Sequence, residues 1–141
     1  CATLEKVDSY SRLGKIDFRE FSNEGFLFTP EKYLGEYESV GIIDFIKMPS
    51  AKYCTIKELP DMEKYEARDP LYSITSTQWF IEKINMDVVM EDLYRQCLTL
   101  GANALINFQV EPHSDTYSNI TNPIIITGYR ISGLAIKRVG L

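Results

Sequence analysis

Histidine and cysteine are scarce in this chain, and long apolar runs are missing from it. One histidine and three cysteines among 141 residues leave few ligands for a soft metal, which wants several thiolate or imidazole groups. No stretch approaches the roughly 18 consecutive apolar residues of a membrane-crossing helix. Basic residues are too few and too scattered to form the stripe that phosphate binding requires: 15 lysines and arginines stand against 20 acids, a net charge of −5, so nucleic acid is not an expected partner. A glycine-rich phosphate loop, an HExxH pattern and a Ser–His or Cys–His arrangement are all lacking, and neither a cofactor nor an enzymatic activity is expected. A hydrolase built on a carboxylate pair is the enzymatic alternative, because the acids are numerous and sequence does not fix their separation.

What is present suits one modest core. With 45% hydrophobic residues, a chain of this length fits a single domain. The stretch CATLEKVDSYSRLG (1–14) mixes charged and small residues without a sustained period and suits a flexible tether, leaving 15–141 as a single α+β domain. Cys1 at the head of the tether matches the residue that bacterial lipoprotein maturation leaves as the first, carrying lipid on its thiol and amine; an arbitrary start point is the alternative. The lipoprotein reading places the protein in the bacterial cell envelope, at the outer membrane, with the membrane as a partner through Cys1. Cys54 and Cys97 are then two free thiols or one disulfide.

Along the chain, Phe18, Phe21, Phe26, Phe28, Tyr33 and Tyr37 crowd around Gly25, Pro30 and Gly35 in short extended pieces. Such a segment packs against a core, or offers Phe21, Phe26, Phe28 and Tyr33 as an interaction surface for glycans or peptides. YESVGIIDFIKM (37–48) is a strand with Val40, Ile42, Ile46 and Met48 on one face. Asp44 interrupts that face, either as a residue near a sheet edge that takes hydrogen bonds or as a functional carboxylate. Residues 50–71, with two prolines and many charges, form a solvated excursion with one helical turn. LYSITSTQWFIEKI (71–84) is a second strand.

The helix spans about residues 85–100: Asn85 caps it, Asp87 suits its positive end, and Val89, Leu93, Cys97 and Leu100 recur down one face. Gly101 takes the left-handed position after the last turn. In LGANALINFQV the small residues let helix and strand pack as the chain turns a corner, so Gly101, Ala102, Asn103 and Ala104 are structural, with Asn103 or Asn107 as a ligand-binding alternative. From Ala104 to Val110 the alternation predicts a half-buried strand that Pro112 ends. His113 falls in the polar loop after it, exposed rather than metal-bound. Ile124–Val139 is the closing strand, with Gly128 and Gly133 at bulges or close approaches. The fold class is α+β: a mostly antiparallel sheet of four to five strands in the order β-β-α-β-β, with the main helix on one face.

The phrase LGANAL leading into INFQV, together with the closing strand YRISGLAIKR, resembles the YbjQ-like family of small bacterial proteins, which bears a heavy-metal-binding label. Gly101, Ala102, Asn103 and Ala104 match its LGANAV-like phrase, and Gly133, Ala135 and Ile136 fall on its GTAVR-like strand. The arrangement is similar to that of the Rcs stress-sensing outer-membrane lipoproteins, whose members carry paired disulfides where this chain offers at most one. The resemblance runs from about Tyr37 to Arg138. It implies an α+β fold with a tendency to form rings and a metal-binding module as the functional alternative, although no metal ligands are assigned. The prelude at 17–41 looks like that of uncharacterised Bacteroidetes lipoproteins. Together these readings point to a non-enzymatic, lipid-anchored envelope protein that acts through an unidentified protein partner or as a homo-oligomer, by its aromatic segment or open sheet edges.

Overall fold

The computed structural model describes residues 15–59, 62–68 and 77–140, with Ser9 and Ser11. Among these residues seven strands form two sheets, and one main helix accompanies them. In chain order they are α1 (Arg19–Asn23), β1 (Leu27–Phe28), β2 (Tyr37–Lys47), β3 (Ala51–Cys54), β4 (Tyr65–Ala67), β5 (Gln78–Glu82), α2 (Met86–Thr99), β6 (Ala104–Tyr117) and β7 (Ile124–Arg138). The large sheet is ordered β1-β6-β7-β2 and the small one β3-β5-β4. All pairings are antiparallel except β1 with β6.

The fold is therefore α+β, but the expected β-β-α-β-β order describes only part of it. The excursion at 50–71 contributes two short strands and two 3-10 turns (Ile56–Glu58 and Met62–Lys64) in place of a single helical turn. The second expected strand narrows to Gln78–Glu82, and residues 71–76 lie outside the described residues. The aromatic prelude enters the large sheet as a third new element. Its backbone pairs with β6 through Leu27 N–H to Asn103 O, Thr29 N–H to Leu105 O and Phe108 N–H to Thr29 O, each 3.1 Å.

α2 forms as its sequence dictates. The Asn85 side chain accepts from Asp87 N–H at 2.9 Å, satisfying a first-turn donor. Val89, Met90, Leu93 and Cys97 are buried against Leu105, Phe108, Ile131 and Ala135 of the sheet and against Phe21, Phe26 and Phe28. Leu100, expected on that buried face, is 54% exposed because the helix has already ended beneath it. The end is a paired cap: Ala102 N–H reaches Cys97 O (3.1 Å), Gly101 N–H reaches Leu98 O (2.9 Å), and Gly101 has φ +86°.

Two irregularities correct the expected strand faces. Asn107 takes φ +52° at a register shift between Ile106 and Gln109, so Phe108 joins Leu105 on the helix side while Ala104 and Ile106 pack beneath with Ile136. In β2 a shift between Ser39 and Gly41 puts Val40, Ile43 and Phe45 against the core under α2. Ile42, Asp44 and Ile46 turn to the opposite face, where Ile42 is 87% exposed.

β6 also runs through Pro112 to Tyr117, so His113 sits in a strand and not in a loop. A proline interrupts a ladder because it has no N–H to donate. Beyond the short β1 pairing, among the described residues, no strand lies on the outer side of β6, and the missing donor leaves no bond unmade there. Gly128 is a close approach, and Gly133 is both a close approach and the residue opposite the irregularity at Asn107 and Phe108 of β6. A Cβ at Gly133 would lie 2.9 Å from Ile106 O, and one at Gly128 would collide with Lys47 O.

Candidate functional site

The aromatic segment packs against the core, and the alternative of an exposed aromatic surface is not met. Phe21, Phe26 and Phe28 are buried, because the prelude folds over the core and its rings interlock: Phe26 lies 4.7 Å from Phe28, and Phe21 lies 5.2 Å from Tyr94 of α2. Phe18 meets Phe108 edge-on at 5.7 Å. Tyr33 is half-buried and packs on the other side of the sheet, with Ala104, Ile106 and Ile136.

The corner at 101–104 is held by packing and hydrogen bonds. Ala102 and Ala104 are buried. The Asn103 side-chain oxygen accepts from Arg138 N–H at 2.7 Å and from Arg138 Nε at 3.3 Å, and Arg138 Nη2 also donates to Gly25 O at 2.8 Å. The asparagine thus ties the start of β6 to the end of β7, and the arginine ties both to the prelude. Asn107 is exposed.

The titratable residues singled out by sequence do not converge. Asp44 lies on the exposed side of an edge strand, where its carboxylate accepts from Arg130 Nε (2.7 Å) and Nη2 (2.6 Å). Those hydrogen bonds, more than the accompanying charge attraction, hold its pKa below the ordinary 3.8. His113 Nε2 lies 3.2 Å from Asp115 Oδ1. Cys54 and Cys97 are free thiols, and burial pushes Cys97 up to about 11. Among the described residues no group of three or more histidine, cysteine or acidic side chains is placed to hold a metal. Cys1 lies outside the described residues.

A different site comes into view at the outer side of β2. β2 pairs with β7 alone, so among the described residues its other edge carries unpaired backbone groups along 11 residues. Beside that edge α2 leaves a groove of about 410 Å³ lined by Ile42, Ile43, Asp44, Phe45, Leu93, Gln96, Cys97, Thr99 and Leu100. A second concavity of about 570 Å³ lies on the small sheet around Tyr53, Trp79 and Arg68. Its aromatic rings are 5.4 Å apart, and the Trp79 indole N–H is committed to Asn122 O at 3.1 Å, a tie between the small sheet and the β6–β7 connection.

The two long free edges of the large sheet differ in chemistry. The outer stretch of β6, Gln109–Tyr117, carries Glu111, Pro112 and Asp115, the residue types that discourage a further strand from pairing. Between Ser39 and Ile46, β2 has no proline and one charge, Asp44, which Arg130 already holds. Sequence reasoning marked open edges in general and missed which edge, because the groove joins a strand and a helix about fifty residues apart. The unprotected composition of β2 was the one available signal.

No family model matches the chain, and no curated protein matches it. A solved structure similar to it is that of a protein of unknown function from the DUF74 family of Pediococcus pentosaceus, at 10% identity and TM-score 0.42, covering 81% of this chain and 98% of that one. A likeness of that degree carries no argument about role.

Proposed function

We propose that this chain is a non-enzymatic, lipid-anchored protein of the bacterial cell envelope that acts by protein contacts or self-assembly, using the outer edge of β2. The observation that carries the reading is the contrast between edges: β6 bears proline and carboxylates where it is unpaired, whereas β2 presents Ile42 at 87% exposure beside an apolar groove. Solvent-exposed edge strands with few safeguards pair readily with other chains, and from Gly41 to Ile46 β2 carries Asp44 alone, already held by Arg130. The resemblance to YbjQ-like proteins and their tendency to form rings belong to the same proposal, as does lipid attachment at Cys1 and an outer-membrane location.

A photoreactive benzophenone side chain at position 42, in protein made in cells with its leader, tests the contact surface. The expected outcome is a discrete cross-linked product, either a multiple of this chain or one heterologous adduct. The same probe at Val88, which is 60% exposed on α2, should give none. Equal labelling at both positions, or none at 42, overturns the reading. The anchor is tested separately by a diacyl mass increment on Cys1 and partition into detergent.

A further inference from the structure

Glu38, Gly41, Ile43, Phe45 and Lys47 of β2 stand opposite alternate residues of β7, from Lys137 to Tyr129, of which Ala135 and Ile131 pack in the core beneath α2. All five therefore share the α2 side of the sheet, with an acid near one end of the strand and a base at the other. We infer that the partner of this edge is a second copy of the chain, its β2 paired antiparallel to this one about a two-fold axis through Ile43. The inference rests on the reading of β2 as a contact edge and names its occupant.

A two-fold interface requires that each residue suit the one at its reflected position, because every contact between two different positions is made twice. With Ile43 on the axis, Ile43 meets its own copy and Gly41 meets Phe45. Val40 has no partner in the ladder with β7; bulged out of the new ladder in the same way, it lets Ser39 meet Ile46 and Glu38 meet Lys47. Large thus faces small, and acid faces base. A side chain at Gly41 would find no atom within 4 Å, so the ring of the opposing Phe45 has room to lie over bare backbone, the pairing by which an aromatic covers a strand glycine. On the other face Ile42 meets Asp44, whose charge Arg130 holds.

Neighbouring registers lose this complementarity. Centred on Asp44, the strand would set two carboxylates against each other, and centred on Ile42 it would set Glu38 against Phe45. Among the described residues neither Glu38 nor Lys47 forms an ion pair within the chain, although Glu38 lies opposite Lys137 in the β7 ladder. A partner strand of one sign would suit Glu38 or Lys47 and repel the other, whereas a copy of β2 carries both signs at the reflected positions. The partner's Ile43 and Phe45 also enter the groove that Leu93, Cys97 and Leu100 leave beside the edge, and this copy's enter the partner's. Each apolar surface covers its twin.

The test combines sedimentation equilibrium of the full chain with carbodiimide coupling, which joins a carboxylate directly to an amine that touches it. Glu38 and Lys47 stand at opposite ends of one strand, roughly 30 Å apart at strand rise, so a bond between them forms only between copies. The expected result is a concentration-dependent dimer and, in the dimer fraction alone, a coupled peptide pair that joins Glu38 to Lys47. Glu38→Lys and Lys47→Glu should each weaken dimerisation about tenfold, because two pairs turn from attraction to repulsion, and the two changes together should restore it. A chain that stays monomeric at millimolar concentration, assemblies of odd copy number only, a dimer without the Glu38–Lys47 bond, or a double variant as weak as the single ones overturns the inference. The coupling uses the wild type and decides the matter even where a variant fails to fold. If the chain is monomeric but the benzophenone at position 42 gives one heterologous adduct in cells, the second-copy assignment fails while the contact-edge reading stands. If it gives none, both fail.

Discussion

At position 103 a single amide side chain joins two strand ends, and at position 101 a glycine makes the turn that brings them together. The Cβ that Gly101 lacks would meet no atom within 4 Å, so alanine fits there in space. Its cost is purely conformational, and Gly101→Ala should destabilise by about 1 kcal/mol in urea unfolding. Asn103→Ala removes an acceptor from Arg138 and should cost about 1–2 kcal/mol in the same measurement. Asp44 provides a pH test. Its folded pKa is depressed below 3.8 by Arg130, so its contribution is present above that value and is lost as pH falls through the folded pKa. The wild type should exceed Asp44→Asn in urea midpoint at neutral pH, and the gap should close as pH drops below 3.8. Because the pair is half-exposed, the gap should be small.

Among the elements, those with a strong local signal were legible before folding. α2 announced itself through its cap, its period and the following glycine, and β7 through its length. The faces of β2 were not legible, because apolar residues occupy both parities and the shift at Ser39/Gly41 reverses which set is inward. The small sheet was hidden for another reason: β3 and β4 are four and three residues long and lie amid charges, so no period could develop. Pro112 misled because a proline stops a strand only where its missing N–H would face a neighbour, and on the outer side of β6, among the described residues, there is none. The prelude shows tertiary context deciding, since its rings could face water or core and α2 supplies the core. Leu93→Ala and Phe28→Ala should therefore each cost about 2–5 kcal/mol, measured by chemical denaturation. A cost near zero at Phe28 would mean that the prelude is not part of the packed body.

For the molecule as a whole, the candidate site was legible only as a generality, that an open sheet edge is a place for contact. Which edge is open depends on strand order, and strand order arises from pairings such as Tyr37 with Arg138 that span a hundred residues. The same long-range pairing sets the groove beside β2 and leaves β6 free where its sequence already guards it. On the proposed reading of an envelope protein, β2 is occupied by a partner and the β6 edge is not. Hydrogen–deuterium exchange followed by mass spectrometry, comparing envelope vesicles with dilute purified protein, tests it most directly. Amides of Tyr37–Lys47 should exchange more slowly in the vesicles, with Gln109–Tyr117 alike in both. Unchanged exchange along β2, or protection along β6 instead, would mean that β2 is not the contact edge.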